Sequence, residues 1–238
     1  MFRISNLTKE YGEGGAKVTA LKKINLTIPQ GKFIVILGAS GSGKSTMLNM
    51  LGCMDSPTSG KIQFIGNADS NDIEITALNK RQMTKFRAEN IGFIFQSYNL
   101  LPDLTALENV EFSTELANLP RKEAENALKM VGLGNRINHY PAQLSGGEQQ
   151  RVSIARAIAK NPKVLLADEP TGALDFETGI MVLEALKKIH IEKETSILFI
   201  THNQEISKIA DIVISLRSGE IFDISENKSP LAPSEVIW

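Results

Sequence analysis

Cysteine is nearly absent from this chain of 238 residues: Cys53 stands alone, so no internal disulfide can form. Without cross-links the fold rests on its apolar core, and a reducing compartment is the simplest setting. Long apolar runs are missing too. None approaches the roughly 20 residues that a helix needs to cross a bilayer. The opening Met1-Phe2-Arg3-Ile4-Ser5 lacks the apolar centre of a secretory leader. Neither sign of charge is in excess: 26 Lys and Arg against 27 Asp and Glu give a formal net charge of −1. That balance argues against a nucleic-acid binder, whose affinity comes from neutralising phosphates. The expectation is a cytoplasmic chain whose role at any membrane runs through a partner. Cys53 is expected to be a small buried hydrophobe.

What is present reads as an ordinary globular composition, 42% hydrophobic and 22% charged. Three short unalternated apolar runs, Phe33–Leu37, Val164–Ala167 and Ile197–Ile200, suit strands covered on both faces of a mainly parallel sheet. Helical patterns separate them, which predicts an α/β core. Ligands on such sheets sit at the carboxyl ends of the strands. The runs lead into Gly38, Asp168-Glu169 and Thr201-His202, so these motifs are expected on one sheet edge. Residues 61–95 mix short strand-like pieces with a helix expected near Asn79–Glu89. From Gln96 to about Leu144 the pattern reads as mostly helical, broken at Pro102, Pro120 and Pro141. The polar tail from Asp223, with Pro230 and Pro233, is expected to pack loosely. His139 and His190 fit no motif and read as surface or packing residues.

Gly38-Ala39-Ser40-Gly41-Ser42-Gly43-Lys44-Ser45 fits the P-loop pattern, with Thr46 following. Its glycines let backbone N–H groups close around phosphate oxygens, and the helix that follows points its positive end at them. Lys44 is placed for the β- and γ-phosphates of ATP and Ser45 for Mg²⁺. Asp168, at a strand end, is a further Mg²⁺ ligand. Glu169 next to it is expected on the opposite side of an extended backbone, polarising the attacking water as general base. Leu144-Ser145-Gly146-Gly147-Glu148 contains a capping box, with Ser145 as N-cap and Glu148 reaching back. A box needs no pair of glycines. Gly146 and Gly147 expose amides at a helix start, a second anion site suited to a γ-phosphate presented by another copy.

A P-loop, then Leu-Ser-Gly-Gly-Glu, then an apolar strand ending Asp168-Glu169, resembles the ATP-binding cassette (ABC) ATPases from about Ile4 to Ile224. The resemblance implies a P-loop NTPase (RecA-like) α/β core with an antiparallel β subdomain and an inserted α-helical subdomain. One cassette would span 1–224, its core and β subdomain at 1–96 and 160–224 and its helical signature subdomain at 97–159, with 225–238 as tail. It implies ATP hydrolysis by a head-to-tail homodimer that sandwiches ATP between the P-loop of one copy and the glycine pair of the other. By the same resemblance Tyr11 stacks on adenine, and Gln96 senses Mg²⁺ and the membrane partner. Ala173-Leu174-Asp175 is the loop between protomers, and His202 is the switch histidine at the γ-phosphate.

Gln96-Ser97-Tyr98-Asn99-Leu100-Leu101-Pro102 and Asp168–Asp175 look like the macrolide-exporter and lipoprotein-release branch, with Tyr98 and Ala173 as mild departures. That branch implies export, lipoprotein release or peptide resistance. An integral membrane permease would dock at Gln96–Leu104 and hold the chain at the inner face of the membrane. A soluble ABC-type ATPase acting on nucleic acid or the ribosome is the alternative, opposed by the near-zero net charge. A regulator with little turnover is opposed by Glu169 and His202.

Overall fold

The computed structural model describes residues 1–12, 17–66 and 72–237. Among these are ten strands and six α-helices. Strand β3 (Phe33–Leu37) explains the architecture locally. Phe33 and Val35 enter one apolar cluster while Ile34 and Ile36 enter another, and all four are fully buried. Side chains alternate along a strand, so a run without polar positions requires cover on both faces.

The main sheet has the order β10-β9-β3-β8-β7-β6, with β6 at Ile91–Ile94, β7 at Val164–Asp168, β8 at Ser196–Thr201, β9 at Ile212–Arg217 and β10 at Glu220–Glu226. All neighbours are parallel except the hairpin β9–β10. A smaller antiparallel sheet runs β2-β1-β4-β5, from Val18–Ile28, Phe2–Tyr11, Ser59–Phe64 and Ile73–Glu74. Its inner side chains, among them Phe2, Leu7, Leu21 and Phe64, share one cluster with Met47, Leu48 and Leu51 of α1 (Lys44–Leu51). Cys53 lies in that cluster, where burial pushes its thiol up to about 11.

The other face of the main sheet is covered by α3 (Ala106–Leu116), α4 (Arg121–Met130), α5 (Gly146–Ile158) and α6 (Phe176–Lys193). Helix α2 (Lys80–Asn90) lies within one residue of the helix expected near Asn79–Glu89, and Asn79 caps it in a capping box with Gln82. Thr105 with Glu108 starts α3 in the same way. No helix among the described residues is long and apolar enough to cross a membrane.

Two expectations need correction. Among the described residues the stretch from Gln96 to Leu144 holds α3, α4 and one short 3₁₀ turn, Pro141–Gln143. Residues 97–105 and 131–140 are irregular, because Tyr98, Asn99 and Gly132 take left-handed backbone conformations that end helical continuity. The tail is anchored rather than loose. Asp223 to Glu226 complete β10, Asn227 N–H bonds Asp211 O, Leu231 N–H bonds Lys208 O, and Val236 is buried in the cluster beneath α6. Apolar residues at 231 and 236 outweigh the polar composition around them. Val236→Ala is therefore expected to lower the unfolding free energy by about 1–2 kcal/mol. Urea denaturation measures it, and a loosely held tail would change it by less than about 0.5 kcal/mol.

Candidate active site

Register decides where the chemistry gathers. Leu37 of β3 lies opposite Thr201 of β8, Ile200 of β8 opposite Asp168 of β7, and Ala167 of β7 opposite Ile94 of β6. The strands therefore end level, and the chain leaves them into Gly38, His202, Glu169 and, one residue beyond Phe95, Gln96. One sheet edge collects residues drawn from 38 to 202.

The loop from Gly38 to Gly43 turns back over the start of α1. Gly43 takes φ +104°, and a Cβ there would stand 2.6 Å from Ala20 O, so no other residue fits without moving β2. Ala39, Ser40 and Gly41 form the exposed tip, while Ser42 is buried. Lys44 is only 5% exposed, and its ammonium donates to Gly38 O at 2.7 Å and Ala39 O at 3.1 Å. Among the described residues it has no ion-pair partner. A buried cation hydrogen-bonded only to two carbonyls, with Asp168 acting on it through space and not in contact, would take an anion over the loop as its close counter-charge. Among the described residues the buried Ser42 hydroxyl has no hydrogen-bond partner, which leaves a further polar group that would suit that anion.

Ser45, the second residue of α1, donates through Oγ to Asp168 Oδ1 at 3.1 Å; Thr46 follows, half-buried. A hydroxyl and a carboxylate converging at this distance are the oxygen donors that a hard divalent cation takes. Burial pushes the Asp168 carboxyl above its ordinary range, opposed by the Ser45 hydrogen bond and raised further by Glu169. Gln96 is exposed. Its amide lies beside Gly172, where a Cβ would stand 3.2 Å from Gln96 Nε2 and 3.4 Å from Glu169 Oε2.

Glu169 departs from expectation. Its backbone is not extended but left-handed, φ +45°, with its N–H bonded to Ile200 O at 3.1 Å and its carbonyl accepting from Gly172 N–H at 3.0 Å. Such a conformation costs a non-glycine residue about 1–2 kcal/mol, and two backbone hydrogen bonds hold it. The turn brings Glu169 Oε2 to 3.2 Å from His202 Nδ1, the ring being 65% exposed. Acid and imidazole from adjacent strands thus face the open side of the edge together.

A second group lies apart from the loop. Ser145 Oγ accepts from Glu148 N–H at 3.3 Å and Glu148 Oε2 accepts from Ser145 N–H at 2.9 Å, completing the capping box. The Ser145 N–H it accepts holds the Glu148 carboxyl below the ordinary range, helped by Arg136 at 3.4 Å. A depressed carboxyl stabilises the fold at neutral pH and loses that contribution as pH falls through its lowered value. Gln149 N–H bonds Ser145 O, leaving the Gly146 and Gly147 amides as the first two orphans of α5. No hydrogen bond or ion pair among the described residues joins this group to Gly38–Ser45.

Both glycines also have reasons inside the chain. A Cβ at Gly147 would lie 1.9 Å from Thr178 Cγ2, and one at Gly146 would lie 2.9 Å from Tyr98 Oη. Thr178 is itself bound by Asp175, which caps α6 by accepting Thr178 N–H at 3.0 Å and Thr178 Oγ1–H at 2.8 Å. Those hydrogen bonds hold the Asp175 carboxyl below its usual range. Asp175 and the glycine pair are thereby one packed unit. Tyr11 ends β1, 41% exposed, with its hydroxyl 3.1 Å from Asp55 Oδ2 and Lys9 Nζ 4.8 Å from its ring centre. Thr178, against which Gly147 packs, carried no signal in the sequence.

Comparison with known proteins gives the family. Residues 21–172 match the ABC transporter family. An ABC transporter ATP-binding protein of Methanocaldococcus jannaschii is 48% identical over 228 residues, covering 94% of this chain and 99% of that one. The macrolide export ATP-binding/permease protein MacB of Bartonella henselae is 45% identical over 98% of this chain, which spans only 34% of it. A dimeric ATP-binding cassette from M. jannaschii, solved in a post-hydrolysis state with ADP and Pi, superposes with a TM-score of 0.87. It is 42% identical and covers 96% of this chain and all of that one.

Gly147→Ala is expected to destabilise the single chain by about 1–3 kcal/mol, since the methyl must displace the β-branched Thr178. Thr178→Ser removes the opposing Cγ2 while keeping the hydroxyl, and should recover at least half of that loss in denaturant titrations.

Proposed function

The chain belongs to the ABC transporter family as an ATP-binding subunit and ATPase, and from that premise we propose a cycle in which two copies clasp ATP head to tail. The observation that carries it is the division of the site. Lys44, Ser45, Asp168, Glu169 and His202 gather on one sheet edge, while the unanswered amides of Gly146 and Gly147 belong to a separate group. A triphosphate cradled at the edge of one copy presents its γ-phosphate to the α5 start of the other.

In this reading Gly38–Thr46 wrap the phosphates with backbone N–H groups, and Lys44 exchanges its two carbonyls for phosphate oxygens. Ser45, Asp168 and Gln96 would hold Mg²⁺, which when bound neutralises phosphate charge. Glu169 accepts a proton from the water that attacks the γ-phosphorus, and the bond to the bridging oxygen of ADP breaks. His202 sits beside that carboxylate to contact the γ-phosphate. Tyr11 stacks on the base, and Asp175 lies at the boundary with the facing copy. Cleavage removes the shared group, so the affinity between copies falls and they part.

The opening and closing drives a membrane permease. Leu101, Phe112 and Leu116 are exposed beside a recess of about 190 Å³ lined by Leu104, Glu108, Glu111, Phe112 and Glu115. Apolar side chains within an acidic rim suit a short cytoplasmic helix of the permease carrying basic residues. Likeness to MacB makes export the nearest function, with lipoprotein release or peptide resistance in the same mechanical class. The chain is thereby held at the inner face of the membrane.

Glu169→Gln should lower ATP turnover at least a hundredfold and accumulate an ATP-bound dimer in size-exclusion chromatography with light scattering. A variant that binds ATP tightly yet stays monomeric at saturation would remove the paired-copy reading. Leu101→Asp should abolish permease stimulation of ATPase activity in reconstituted membranes, and full stimulation would place the docking surface elsewhere.

A further inference from the structure

Helix α5 is fastened to the segment from Phe95 to Asn99 at three points. Gln150, fully buried, donates to Phe95 O at 3.4 Å. Arg156 forks onto two consecutive carbonyls, Nη1 to Asn99 O at 2.5 Å and Nη2 to Tyr98 O at 2.8 Å. At the front of the helix the Tyr98 hydroxyl stands over Gly146. Tyr98 and Asn99 are both left-handed, φ +54° and +51°, a succession that side-chain-bearing residues rarely adopt. Asn99 N–H folds back on Ser97 O and Ser97 Oγ on Asn99 Oδ1, so the turn has little other support. The planar guanidinium supplies the two-pronged hold that one ammonium cannot.

Resting on the paired-copy reading above, we infer that Arg156 is a positioning residue for the glycine pair. It locks the Tyr98–Asn99 turn, the turn lays Tyr98 over Gly146, and the ring sets the direction in which the α5 amides meet the facing copy's triphosphate. The polar interior of α5 is under-satisfied: Gln150 Oε1 and Ser153 Oγ are buried without hydrogen-bond partners among the described residues. A contact of that kind is held by its clamp rather than by its own hydrogen bonds. Arg156 itself lies on the far side of Tyr98 from Gly146, so it acts through the turn and not on the nucleotide.

The test is made in the Glu169→Gln background, reading the ATP concentration at half-maximal dimer by light scattering and single-copy nucleotide binding with a fluorescent ATP analogue. Arg156→Gln should raise the dimerisation midpoint at least tenfold while analogue affinity stays within about threefold. Asn99→Gly added to it should recover at least half of the loss on a logarithmic scale, because glycine takes the left-handed conformation without the clamp. A midpoint unchanged by Arg156→Gln, or a loss that Asn99→Gly leaves in place, overturns the inference. Should Arg156→Gln melt early, Arg156→Lys is read by the same two criteria. A Glu169→Gln parent that never dimerises would instead strike the paired-copy reading, before Arg156 is tested.

Discussion

The level ending of parallel strands is the constraint on which this structure depends. A parallel ladder fixes which residues stand side by side, and burial on both faces fixes the register, since a slip by one would exchange the two core clusters. With that register set, Gly38, Glu169 and His202 arrive at one edge although 164 positions separate the first from the last. No contact between these residues is needed to assemble them. The core of Phe33, Ile34, Leu165, Leu166, Leu198 and Phe199 does it.

Local conformations then aim the groups that the ladder delivers. Left-handed residues recur where the chain must reverse within one residue: Gly43 before Lys44, Glu169 after Asp168, Tyr98 and Asn99 after Gln96. Each is held by something external to it. Backbone hydrogen bonds hold Glu169, the fit against β2 restricts Gly43, and a guanidinium holds the Tyr98 turn. The glycine pair before α5 joins two requirements. It leaves two amides unanswered among the described residues, and it lets α6 and Tyr98 approach more closely than any side chain would permit.

Much of this was readable from residue order because the relevant signals are local. Unalternated apolar runs mark doubly covered strands, Ser145 three positions before Glu148 marks a helix start, and closely spaced glycines before Lys44 mark a phosphate loop. What escaped was set by contacts distant in sequence. Nothing in the neighbourhood of Glu169 announces a positive φ, which arises from a hydrogen bond to Ile200 on the adjoining strand. Arg156 meets Tyr98 across 58 positions, and Val236 finds its cluster through a fold-back that its polar surroundings conceal. The family resemblance supplied Tyr11, Gln96, Asp175 and His202, none of which carries a chemical signal alone.

The solitary thiol has a practical corollary for spectroscopy. Cys53 is buried and remains protonated far beyond neutral pH, so it is a poor nucleophile toward maleimides or methanethiosulfonates. A reporter cysteine introduced on an exposed position will therefore be modified selectively in the otherwise native polypeptide. Distance measurements by fluorescence or electron spin resonance can follow the moving parts without first deleting the resident sulfur.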